Sequence, residues 1–222
     1  MAITSVKEKL DSIREGGQKA LAKGSMNLFT GYPSDLGKRV ITALVIRETE
    51  EIRLLLAKLR AAAEVLDLSP LTAGTDYPLH ATVLEGIKTD ATGEEEILAP
   101  QRWSVVHGLR TDDLSIVAEA DFHELIFDGG GNVILAVAGE LPVGVPEVRT
   151  EIGRRYLEAG FTPRPLDHLF HITLQRLWDS ERSWGDPLRR YARYVNYLSR
   201  QLVVRVPFAE LYRGAVKPFL VR

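Results

Sequence analysis

The 222-residue chain contains no cysteine, which excludes disulfides, thiolate metal sites and a thiol nucleophile. No apolar run approaches the roughly 20 residues that a membrane-spanning helix needs, so no membrane partner is expected. Residues Met1 to Glu8 lack the basic-then-apolar plan of a secretory signal, and a cytoplasmic location is the default expectation. An excess of one charge is also missing. Lys and Arg number 28 against 30 Asp and Glu, a net of −2, which argues against a protein that coats long nucleic acid. Several catalytic signatures are absent. Gly129-Gly130-Gly131-Asn132 is not followed by the Lys-Ser/Thr of a P-loop and reads as a turn. There is no GxSxG elbow, and His168 with His171 cannot make a helical HExxH zinc site.

What remains is an ordinary globular composition, 45% hydrophobic and 26% charged, sized for one large domain or two small lobes sharing a core. The small net charge conceals an asymmetry. Residues 1–148 carry 14 basic and 23 acidic residues, a net of −9, whereas residues 149–222 carry 14 and 7, a net of +7. A basic C-terminal third suits a phosphate-bearing ligand, although Arg189, Arg190, Arg193 and Arg200 read first as a solvated helix face.

Hydrophobic spacing divides the chain. Residues 5–22 have helical periodicity, and 24–38 form a connecting loop, so residues 1–37 are treated as a helical extension of a main domain at 38–222. Arg39 to Arg47 reads as a strand. A helix capped by Thr49 follows, with Ile52, Leu55, Leu56, Leu59 and Ala63 as its buried stripe. Pro78 to Leu84 is a strand closed by Glu85-Gly86, and residues 88–96 form an exposed turn. Leu114 to Ala120 alternates as a strand does, and 125–127 with 133–137 read as a hairpin. A helix begins at Pro146 and stops at Gly160, a strand spans Leu169 to Leu177, and a last helix starts at Asp186-Pro187. Short strands at 203–206 and 209–212 close the chain. Strand–helix–strand thus occurs twice, at 39–84 and 133–177. The expectation is an α+β fold of two pseudo-twofold lobes whose final strands lie side by side.

Both final strands carry the same tripeptide pattern, His80-Ala81-Thr82 and His171-Ile172-Thr173, 171 − 80 = 91 residues apart. On a strand, residues i and i+2 share a face about 6.7 Å apart. Each histidine therefore faces the same way as its threonine, while Ala81, Val83, Ile172 and Leu174 pack behind. Two such strands present two imidazoles and two hydroxyls to one point. A neutral imidazole can take a proton from an attacking oxygen, and a protonated one can supply a proton to a leaving oxygen. The hydroxyls can hold the non-bridging oxygens of a phosphate between them. One His-x-Thr means little, because a threonine follows a given histidine at that spacing with a chance of roughly 6%. Two, on matched strands, are informative.

The paired motifs and the order PLHATVLEG, hairpin, FHITLQRL, VVRVPFAELYRG resemble the two-histidine phosphoesterase superfamily, which includes bacterial 2′–5′ RNA ligase-like proteins and cyclic nucleotide phosphodiesterases. The resemblance covers residues 38–222. It implies a bilobed α+β fold with a central groove between two antiparallel sheets flanked by helices. It also implies metal-independent catalysis without a cofactor, with His80 and His171 as catalytic residues and Thr82 and Thr173 holding the phosphate. By the same resemblance His171 is the base, His80 the acid, and the ligand a nucleotide or RNA end bearing a phosphodiester. Arg176 stands where the RNA ligase-like branch often has an arginine that contacts phosphate. Its odd spacing from His171 puts it on the opposite strand face unless the strand bends. Glu85-Gly86 departs from the aromatic or apolar residue that many members keep before that glycine.

Tyr77 and Trp178 flank the motif strands, as core or rim residues or as platforms on which a base stacks. His107, His123 and His168 read as surface or structural residues, with His168 also placed to line the groove. Cyclic phosphodiester hydrolysis is the leading expectation. A 2′–5′ RNA ligase and a non-catalytic protein that binds nucleotides or RNA ends are the alternatives, with a monomer as the default.

Overall fold

The computed structural model describes residues 5–99, 119–137, 140–164, 169–179, 185–200, 202–216 and 220. His107, His168 and most of the strand expected at 114–120 lie outside them.

Helix α1 (Val6–Lys23) is fixed at both ends by its sequence. Ser5 and Glu8 make a reciprocal capping box, and Gly24 terminates the helix in the left-handed conformation at φ 63°. A 3-10 turn (Ser34–Lys38) leads into β1 (Arg39–Ile46). Helix α2 (Glu50–Val65) starts at Thr49, whose hydroxyl accepts from the Ile52 N–H. It buries the five expected apolar residues, Ile52 through Ala63. Then come β2 (Pro70–Thr72), β3 (His80–Ile87), α3 (Glu94–Ile97), β4 (Glu119–Phe122), β5 (Glu124–Phe127) and β6 (Asn132–Ala136). Helix α4 (Val145–Glu158), β7 (Thr162–Arg164), β8 (His171–Leu177), α5 (Asp186–Ser199) and β9 (Val204–Ala215) complete the order. Arg189, Arg190, Arg193 and Arg200 are exposed, as expected of a solvated face.

The strands follow the antiparallel path β4-β9-β1-β3-β8-β6-β5, with β7 added to β3 and β2 added to β8. This is an α+β protein built from two equivalent units, β1-α2-β2-β3 and β6-α4-β7-β8. Each unit sends its short strand across to the other unit's motif strand. The units meet where Ala81 lies opposite Ile172.

Both faces of the sheet are covered, but unequally. Helices α2, α4 and α5 pack with Ala81, Val83, Ile172 and Leu174 into the large core. On the other face, Ile41, Ala43 and Val45 of β1 are covered by Tyr32, Leu36, Val216 and Leu220. Ile134 and Ala136 of β6 are covered there by Leu10, Val6 and Ile13 of α1. The motif strands lie between these two walls, in a trough.

Several elements differ from the sequence expectation. Strand β3 does not close at Glu85-Gly86 but runs through to Ile87. Gly86 continues it because the Tyr156 ring crosses there, and a Cβ would meet that ring at 2.7 Å. The turn expected at 88–96 is not wholly exposed: Lys88 and Ala91 are buried, and α3 forms within it. The three-residue strands β2 and β7 carry too few residues to show a period. The two closing strands are one, β9. Pro207 sits where β9 passes from β4 to β1, so its missing N–H breaks no ladder, and its carbonyl accepts from Arg47.

Candidate active site

His80 and His171 are the first residues of β3 and β8, and each strand then bulges at the same place. Opposite β1, Thr42 pairs with Leu84 and Ala43 with Thr82, so Val83 is the extra residue. Opposite β6, Val133 pairs with Gln175 and Ile134 with Thr173, so Leu174 is the extra residue. A bulge inserts one residue and resets the alternation beyond it. In β8, Leu174 and Gln175 are both buried while His171, Thr173 and Arg176 are partly exposed. Arg176 therefore shares the trough face with His171 and Thr173, and the bend that its odd spacing required is this bulge. In β3 the same operation leaves Thr82 and Glu85 partly exposed. Counting antiparallel from the Ala81–Ile172 pair puts His80 across from Thr173 and Thr82 across from His171.

Burial tunes both imidazoles. His80 is 8% exposed, and its Nδ1 lies 2.7 Å from the Pro78 carbonyl oxygen. A carbonyl only accepts, so Nδ1 carries a proton and Nε2 is the titrating nitrogen. Loss of water around His80 pushes its pKa down to about 4; the Pro78 bond opposes that shift, and the Arg176 cation adds to it. His171 is also held down to about 4, first by desolvation, then by the positive charges of His80, Arg176 and Arg149.

Arg149 approaches from α4 on the helix side. Its Nε donates to the carbonyl of the bulge residue Val83 at 2.8 Å, and its Nη2 donates to the Leu169 carbonyl, just before β8. One guanidinium thus ties the two motif strands together, and burial lowers its pKa to about 10. Among the described residues no carboxylate pairs with it.

Arg176 lies among aromatic rings. Its Cζ is 5.7 Å from the Tyr77 ring centre and 5.8 Å from that of Phe29. Phe29 is held there because its N–H donates to Leu177 and its carbonyl accepts from Asp179, a short parallel bridge at the end of β8. Phe29 also meets Tyr32 and Trp178 edge to face, each at 5.2 Å between ring centres. Tyr77 is 3% exposed, its hydroxyl donates to the Thr173 carbonyl, and its ring carries Arg176. A base has no face to stack on there, and Tyr77 serves as a support. Trp178, 39% exposed, lies just past the end of β8.

No family model matches the chain, and no curated protein matches it in sequence. Among solved structures, the PDE domain of MHV ns2 is similar at 15% identity and a TM-score of 0.46, over 80% of this chain and 97% of that one. Usb1 of Kluyveromyces marxianus is similar at 13% identity and a TM-score of 0.41, over 81% and 99%. Usb1 with uridine monophosphate is similar at 10% and 0.38, over the same shares. These are likenesses of fold. The α+β architecture, two repeated units with their motif strands side by side, is the one the sequence led us to expect.

The structure brings His80, Thr82, His171, Thr173, Arg176 and Tyr77 to one trough and sets Trp178 at its end. His123 is exposed, and its N–H donates to the carbonyl of Ala136 on β6. Three contributors escape a reading of the sequence: Phe29, Arg149 and the Pro78 carbonyl. Phe29 lies in a stretch without periodicity, Arg149 is one of many arginines, and a carbonyl has no sequence signature. The one available hint was the aromatic pair Phe29 and Tyr32 in a loop.

Proposed function

We propose that this chain is a metal-independent phosphodiesterase of the two-histidine type, acting on a cyclic phosphodiester such as a 2′,3′-cyclic nucleotide or RNA end. The observation that carries this reading is the convergence of His80, Thr82, His171, Thr173 and Arg176 on one face of two adjacent strands. Arg176 and the two hydroxyls bind the non-bridging oxygens. His171 acts as the base and His80 as the acid. The Pro78 carbonyl favours the protonated His80 ring, and the charge on His80 disfavours protonation of His171. A water attacks phosphorus while His171 accepts its proton. The bond to one ribose oxygen breaks, and that oxygen takes the proton of His80. One water is consumed, a phosphomonoester with a free hydroxyl results, and proton exchange between the histidines resets the site.

Product analysis on 2′,3′-cyclic nucleotides in EDTA tests this reading. A single phosphomonoester isomer formed in chelator is expected, whereas turnover that requires added metal contradicts it. Accumulation of 2′–5′-linked product from RNA halves would instead identify a ligase.

A further inference from the structure

Strict alternation along β8 would set Gln175 in the trough and Arg176 in the core. The bulge at Leu174 exchanges them, so the core receives an amide and the trough a guanidinium. A buried amide needs a partner at each end, and Gln175 has both. The Tyr191 hydroxyl of α5 donates to its Oε1. Its Nε2 donates at 3.1 Å to the hydroxyl of Thr72, its neighbour across the β2–β8 ladder. All three side chains are buried.

Thr72 opens the turn that leads to Tyr77. Its N–H donates to the Asp76 carboxylate at 2.6 Å, and its carbonyl accepts from the Asp76 N–H at 2.8 Å. Ala73 then donates to the carbonyl of the bulge residue Leu174 at 2.9 Å, and Gly74, at φ 81°, donates to the Tyr77 carbonyl at 2.7 Å. Tyr77 closes the circuit, with its hydroxyl on the Thr173 carbonyl and its ring against Arg176. At the β3 bulge the carbonyl is held by a side chain, that of Arg149. At the β8 bulge it is held by a backbone N–H, whose place depends on this turn. Core stability alone does not call for an amide at 175, since replacing a buried hydrogen-bonded set by apolar groups of the same shape is close to neutral. Hydrogen bonds add direction, which apolar packing lacks.

We propose that Gln175 is a positioning residue: oriented by Tyr191, it holds Thr72 and the 72–77 turn against the β8 bulge and so keeps Arg176 and Thr173 aimed at the phosphate. This rests on the phosphodiesterase reading and adds to it three residues that do not touch the substrate, Thr72, Gln175 and Tyr191.

The test compares the wild type, Gln175→Leu and the triple variant Thr72→Val, Gln175→Leu, Tyr191→Phe. Each is followed by urea unfolding, by kcat/KM on a 2′,3′-cyclic nucleotide in EDTA, and by NMR titration of the histidine rings. Gln175→Leu leaves two buried hydroxyls without their partner and is expected to lose stability, which the triple variant regains. Activity is expected to part from stability: kcat/KM falls by on the order of tenfold or more in both variants, the cost of misplacing a group that orients the substrate. The Arg176 cation helps to hold both histidine midpoints down, so both midpoints are expected to rise in both variants. Tyr191→Phe, the mildest change, is expected to show the same two effects to a smaller extent. Wild-type kcat/KM in the triple variant overturns the inference, because packing alone then holds the site. Unchanged histidine midpoints in that variant overturn it too, whatever the activity. If the wild type turns over no cyclic nucleotide, the phosphodiesterase reading falls by itself, and the midpoints, which need no substrate, still decide whether Gln175 holds Arg176.

Discussion

At the scale of single residues, the central feature is two imidazoles held neutral in the free protein. Both pKa values lie near 4, well below the ordinary histidine value, because burial and nearby cations penalise the charged ring. At neutral pH neither ring of the free protein carries a charge, whereas the proposed reaction needs one of them protonated. A bound phosphodiester supplies a negative charge that offsets Arg176 and raises both values. The kcat/KM profile, which reports the free protein, is therefore expected to be a bell centred well below pH 6.5, and the kcat profile to lie at higher pH. NMR titration of the histidine rings with and without inorganic phosphate checks the cause: two midpoints near 4 that move upward on binding. Midpoints at the ordinary value in the free protein would contradict it. Arg149 acts through the same groups. Arg149→Met leaves the Val83 and Leu169 carbonyls without their donor and removes a cation near His171. The expected result is a kcat lower by on the order of tenfold, little change in KM, and a basic-side shift of the His171 limb. Arg149→Lys, which keeps the charge, is expected to restore that limb.

At the scale of elements, α1 is a wall of the trough. Leu10 is fully buried against Ile126, Ile134 and Ala136, the last of which pairs with His171. Gly17 permits the close approach, since a Cβ there would stand 2.4 Å from the Phe127 carbonyl oxygen. Gly17→Ala is expected to destabilise the protein by about 1–3 kcal/mol even though alanine favours helices; urea unfolding decides, and a stabilised variant would contradict this packing. The contrast shows what the sequence could tell. Gly16-Gly17 reads as a weak point of a helix, and only the fold shows that the second glycine is required by contact. The repeated strand–helix–strand units were legible because the α2 stripe keeps one period and the motif strands keep theirs from the histidine through the threonine, and so were the four His and Thr positions. The bulges at Val83 and Leu174 were not, since both residues are as apolar as a regular strand would demand. Without them, Arg176 falls on the wrong face. Phe29 was equally hidden, because what places it is a backbone bridge to β8.

At the scale of the whole molecule, the site and the stability of the fold are linked. The unfolded chain takes up protons on histidine near pH 6.5, whereas the folded chain resists until about pH 4. Between those values the unfolded state binds more protons, so stability is fully present above pH 6.5 and declines as pH falls toward 4. His80 alone accounts for about 3 kcal/mol of that decline at most, from its shift. Denaturant unfolding at a series of pH values is expected to show a slope in this window that is flatter in His80→Gln; an identical slope would contradict the linkage. The two-lobed arrangement has one consequence above all others, the meeting of His80 with His171. The most direct measurement is turnover of a 2′,3′-cyclic nucleotide in EDTA by the wild type, His80→Ala, His171→Ala and the double variant. The expected result is wild-type turnover and a loss of about 10²–10⁴-fold in each single variant, with little further loss in the double, because the two groups act in one step. Full activity in either single variant would contradict the account.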